Sequence, residues 1–138
     1  MENARNEILE MSNGKARITE HDVSTIIKRI GIPCSILGYE YIIKAVMYIV
    51  ECKREDEARR ISITKEVYPH VSKICNTTNC RVERCIRHAI ELAMGRGDMN
   101  VIEDIFGYSY DSVKGKPTNK EFLYSMVDFL NTYFGVDN

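Results

Sequence analysis

"VSKICNTTNCRVERCIRHAIELA", Val71 to Ala93, decides how this chain is to be read. On a helical wheel at about 100° per residue, Val82, Ile86, Ala89 and Ala93 gather on one side and form the face that packs inward. Cys80, Arg84, Arg87 and His88 fall on the opposite side, with Arg81 beside them and Glu83 on the flank. The basic groups are thus segregated onto one exposed strip. Upstream, with Asn76 as the turn residue, Val71 and Cys75 are apolar positions of a preceding helix, with small Ser72 between them. Val82 and Cys85 are the matching apolar positions of the helix that follows. This is the spacing of a helix-turn-helix unit, two helices crossing steeply over a short turn. Such a turn favours Gly because its backbone is often left-handed, and Asn is among the few residues that tolerate this. Thr78 is placed to cap the second helix, its hydroxyl accepting from an orphan backbone N–H.

Composition sets the frame for that strip. The 138 residues suit one domain, read here as a flexible leader over residues 1–17 and a folded unit over 18–138. A hydrophobic fraction of 44% with 28% charged residues is enough to build a core. The net charge of −1 and pI near 6.3 give no global pull towards nucleic acid or acidic membranes. Any electrostatic function must come from local segregation of charge. The start, "MENARNEILEMSNGKA", lacks the basic head and apolar run of a signal peptide. The most apolar run, "YIIKAVMYIV", is broken by Lys44, so no membrane partner is expected. Five cysteines, an odd number with no CxxC, read as reduced thiols and place the chain in the cytoplasm.

The remaining segments read as helices. "ITEHDVSTIIKRIGIP" sets Val23, Ile26, Ile27 and Ile30 at helical spacing before Gly31 and Pro33 stop it. "LGYEYIIKAVMYIVEC" repeats the pattern with Ile42, Val46, Ile49 and Val50. The charge run Lys53 to Arg60 reads as a solvated helix end or loop. "SITKEVYPHVSKIC" carries Val67, Val71, Ile74 and Cys75, and Pro69 predicts a helix that starts late or bends there. Gly95 and Gly97 are expected to end the Arg-rich helix. "VIEDIFGYS" reads as a short helix and "VKGKPTN" as a loop. The closing amphipathic helix carries the stripe Phe122, Met126, Phe129 and Leu130. The expected architecture is all-α, a compact bundle of about six helices.

In a helix-turn-helix unit the second helix, here residues 79–94, lies in the DNA major groove with its first residues at the base edges. The planar fork of Arg can donate to O6 and N7 of guanine together, and Glu can accept from the amino group of cytosine. Arg84 with Glu83 is therefore a chemically sensible reading pair. Arg81, His88 and the capped helix start could meet phosphates, which set register without carrying sequence.

"NTTNCRVERCIRHAIELAMGRG", followed by "FGYS" and "KGKPTNKEFL", resembles the C-terminal DNA-binding effector domain of the master sporulation response regulator of spore-forming bacteria. The resemblance begins near "IIKRIGIPCSILGYEY" and runs to about Phe129. It implies a six-helix fold and a transcription factor that binds double-stranded DNA at TGTCGAA-like boxes, often as head-to-tail pairs. By matching motif it implies base reading by Glu83, Arg84 and Arg87, and phosphate contacts by His88, the Thr78 region and Lys116. Contact with the polymerase sigma subunit would map near "GRGDMNVIEDIFGY", and the closing helix would help pair adjacent domains on DNA. The chain departs from the pattern in four places. It has a short leader where the family has a receiver domain, and Met1 without tag-like sequence favours a free-standing homologue over an excised domain. The segment "ECKREDEARRI" is longer and more polar. Asn79 and Cys80 stand where smaller residues are usual, with Cys85 for Ala. Glu103 and Asp104 add negative charge to the implied polymerase-contacting segment.

Other chemistries have less support. Cys75, Cys80, Cys85 and His88 are close in sequence, but only Cys85 and His88 are neighbours on a helix, and structural zinc wants four convergent ligands. Cys75 and Cys85 are better read as small core residues, and Cys80 as an exposed thiol. No cofactor is expected. His21, His70 and His88 make no nucleophile–base–orienter set with the scattered carboxylates, so the chain does not read as an enzyme. The competing class is an interaction protein: an adaptor that pairs with a full-length regulator or a polymerase subunit and modulates it without reading DNA.

Overall fold

The computed structural model describes residues 17–96, 99–107 and 116–134, and every regular element in them is helical. The order is α1 (Glu20–Arg29), α2 (Leu37–Glu55), a wide π turn (Ile63–Val67) running into α3 (Tyr68–Ile74), α4 (Asn79–Arg96), α5 (Met99–Phe106) and α6 (Asn119–Tyr133). The all-α expectation and the six helices both hold. The leader as far as residue 16, and Gly97 as a helix stop, lie outside the described residues.

Local chemistry sets the helix ends. Thr19 Oγ1 accepts from the Asp22 N–H at 3.2 Å while the Asp22 carboxylate accepts from the Thr19 N–H at 2.9 Å, a reciprocal cap that starts α1. Thr118 and Glu121 repeat it at the start of α6, at 3.1 and 2.9 Å. Gly31, with φ of 99°, closes α1 in the left-handed region that favours glycine. The charge run divides. Lys53, Arg54 and Glu55 finish α2, and the rest is a loop held by Lys53 Nζ donating to the Arg59 carbonyl at 3.0 Å and by an Arg59–Glu66 ion pair.

Pro69 acts where expected. Having no N–H, it cannot donate to the carbonyl four residues back. The chain enters α3 through the π turn, capped by Ser62 Oγ accepting from the Lys65 N–H at 3.0 Å, and Pro69 sits in the first turn of α3, where a missing donor is harmless.

α2 is the centre of the bundle and packs against α1, α3, α4 and α6. Its Ile42, Val46 and Ile49 are fully buried among Val23, Ile26 and Ile27 of α1, Ile86 and Ala89 of α4, and Phe122, Met126 and Leu130 of α6. Two sequence expectations need correction. Ile74, assigned to the inward stripe of α3, is 51% exposed, because α3 ends there and the turn carries the side chain outward. Gly95 does not end α4, which continues through it to Arg96.

The first helix of the motif carries a pH handle. His70 stacks on Tyr48 with ring centroids 4.3 Å apart, and burial holds its pKa below the ordinary imidazole value. The unfolded chain therefore takes up this proton more readily than the folded one. Stability is fully present above the ordinary imidazole pKa and falls as the pH drops through the range below it. Urea unfolding at pH 7.5 and 5.0 should show this loss, and His70→Gln should remove part of it.

Candidate nucleic-acid interface

The turn between α3 and α4 has the backbone that Asn76 implies. Asn76 is in the left-handed region, φ 55°, the one described non-glycine residue there. Around it the Thr77 N–H donates to the Ser72 carbonyl at 2.8 Å and the Asn76 N–H to the Lys73 carbonyl at 3.4 Å, the paired bonds of a Schellman closure. Two residues on, Thr78 Oγ1 accepts from the Arg81 N–H at 3.1 Å and caps α4. Ser72 Oγ, facing Asn79 Oδ1 at 2.6 Å, ties the two helices across the turn. Small Ser72 is therefore both a spacer and a tether.

The wheel is correct for α4. Val82, Ile86, Ala89 and Ala93 are fully buried, joined by Ile90, and Cys80, Arg81, Arg84, Arg87 and His88 are exposed. Cys75 and Cys85 pack half-buried against the core, and the cysteines are free thiols. The helix can lie so flat on α2 because of Gly38. A Cβ there would stand 2.4 Å from the Cys85 carbonyl oxygen and 2.7 Å from Ala89 Cβ. α4 is thus seated on a glycine.

The expected DNA-contacting residues form two groups. Arg81, Arg84 and His88 stand on the outer arc, and their side chains make no hydrogen bond or ion pair among the described residues. Glu83, Arg87 and Lys116 border a cavity of about 620 Å³ between α4, the π turn and the start of α6. Tyr68, Asn79, Cys80 and Asn119 complete most of its wall. Within this second group Glu83 and Arg87 are ion-paired one helical turn apart, and Lys116 Nζ pairs with the Glu91 carboxylate. The Lys116 hydrogen bond and charge hold the Glu91 carboxyl below the ordinary carboxylate range. The i,i+4 spacing of Glu83 and Arg87 is visible in the sequence, although each reads there as a separate base contact. Asn119 and Gly38 are the residues sequence reasoning passes over. A single Gly inside a helical pattern is a signal of close approach; Asn119 gives no comparable signal.

No helix among the described residues is long and apolar enough to cross a membrane, and no three metal-ligating side chains converge there. A family model described as "Sporulation initiation factor Spo0A C terminal" matches residues 23–130, from α1 to the last turn of α6.

Proposed function

The chain belongs to the family of the Spo0A sporulation initiation factor C-terminal domain, a DNA-binding effector of transcription regulation in sporulation, and we propose that it is a sequence-specific transcriptional regulator that lays α4 in the DNA major groove. The observation that carries this reading is the outer arc of α4. Arg81, Arg84 and His88 project from a capped helix behind a left-handed Asn76 turn, and their side chains spend none of their donors on the described parts of the protein.

The roles follow from chemistry. Arg84 offers its fork to guanine, and Arg87, held by Glu83, reads the neighbouring step as a pre-oriented donor. Glu83 keeps a free lone pair for a cytosine amino group. Thr78 at the helix start, Arg81, His88 and Lys116 take the phosphates. The domain is residues 18–138, acting in the cytoplasm on TGTCGAA-like boxes, as head-to-tail pairs, with α5 towards a polymerase sigma subunit.

Titration of a labelled duplex carrying such a box, against a scrambled duplex of the same composition at two salt concentrations, tests the reading. Preference for the box supports it; equal affinity would leave the adaptor reading in its place. In the same assay Lys116→Ala should weaken both duplexes alike and flatten the log–log salt dependence by about one unit. Lys116 must leave Glu91 to reach a phosphate, so an unchanged slope would mean that it stays there.

A further inference from the structure

The side chain of Asn119, the first residue of α6, reaches into the unit formed by α3 and α4. Its Nδ2 donates to the Glu83 carbonyl at 3.0 Å and to the Tyr68 hydroxyl oxygen at 2.9 Å. A backbone carbonyl can only accept, so the nitrogen of the amide must face it, and both hydrogens of that nitrogen are used. Glu83 lies in the second turn of α4 and Tyr68 opens α3 with its ring in the core. One amide thus bonds both helices of the motif at once. Burial pushes the Tyr68 phenol above its ordinary value, while the Asn119 bond to its oxygen acts the other way. Three residues before Asn119, Lys116 pairs with Glu91, two helical turns or about 12 Å farther along α4 than Glu83.

The geometry points to Asn119 as a positioning residue for base reading, which fixes the tilt of α4 by holding the backbone at Glu83, the residue between Val82 in the core and Arg84 on the outer arc. The two ties differ in kind. The Lys116–Glu91 pair is half-exposed and charged, so DNA can exchange it for a phosphate. The Asn119 bonds are part-buried and neutral, so a phosphate does not compete for them as it does for a lysine. A contact group is useful only if held to within about 0.5 Å of its productive place, and this amide adds a directional hold from outside the motif to the packing of α4 on α2.

The inference rests on the DNA-reading proposal for one of its two readouts and stands alone for the other. Asn119→Ala, Asn119→Asp and Tyr68→Phe are compared with Tyr124→Phe, which removes a different α6 bond, from the Tyr124 hydroxyl to the Ile61 carbonyl. On box and scrambled duplexes, both Asn119 variants should lose about tenfold in discrimination while scrambled-duplex affinity stays within about twofold. Tyr68→Phe should fall between them and wild type, and Tyr124→Phe should keep full discrimination. In the DNA-free protein, amide hydrogen exchange over residues 83–90 should quicken several-fold more in Asn119→Ala than in Tyr124→Phe. Full discrimination by Asn119→Ala, or equal exchange in those two variants, overturns the inference. If wild type binds both duplexes alike, the DNA-reading proposal falls, and the exchange comparison alone decides whether Asn119 holds α4.

Discussion

Arg84→Ala should weaken binding to a box-containing duplex by about 1–3 kcal/mol and leave binding to a scrambled duplex nearly unchanged. Arg84 is exposed on the outer arc of α4 and its side chain makes no hydrogen bond or ion pair with the described residues, so its truncation opens no cavity and strands no partner. The fold should therefore unfold at the wild-type urea concentration, and any change in binding reports the DNA contact itself. Arg87→Ala is a poorer probe, because it also releases Glu83 from its ion pair. The preference lost with Arg84 should concentrate at one guanine of the box, which a panel of single-base substitutions reads directly. Equal loss on both duplexes would instead make Arg84 a phosphate contact.

Gly38→Ala should cost about 2–3 kcal/mol of folding stability, an overpacking effect at the close approach of α2 and α4. Two effects oppose each other. Alanine is the better helix former by up to about 1 kcal/mol. The added Cβ, however, would lie 2.4 Å from the Cys85 carbonyl oxygen, a backbone atom that cannot rotate aside. The clash wins, and α4 must move away from α2. The expected result in urea is a lowered midpoint with little change in slope. DNA discrimination should fall as well, since the same displacement moves Arg84. Unchanged or raised stability would mean that α2 and α4 part at no cost, contrary to the close packing described above.

What the sequence could disclose follows the range of the interactions. The six helices, their buried stripes and the Thr78 cap are legible because each is set within a few neighbouring residues. Asn76 is legible for the same reason: one left-handed residue closes one turn. The π turn is hidden, since a single extra residue in the helical period looks like noise in a five-residue segment. Ile74 was misplaced because periodicity does not state where a short helix stops. The Asn119 bonds join residues 36 and 51 positions apart, and no local pattern encodes them. The site accordingly divides: its outer arc can be read from a wheel, but the group bordering the cavity, Glu83, Arg87, Lys116 and Asn119, needs the fold.

That separation in sequence gives the motif an order of assembly. Helix α3, its turn and α4 are contiguous, and their ties across Asn76 span only a few residues, so they can form as soon as that segment is free to fold. The amide that bonds both helices from outside arrives with the first residue of the last helix. During synthesis from the N-terminus, the basic arc of α4 is therefore made before the residue that ties α4 to α6. On the DNA-reading proposal, discrimination between sequences, as distinct from attraction to DNA, then waits for the C-terminal helix to dock.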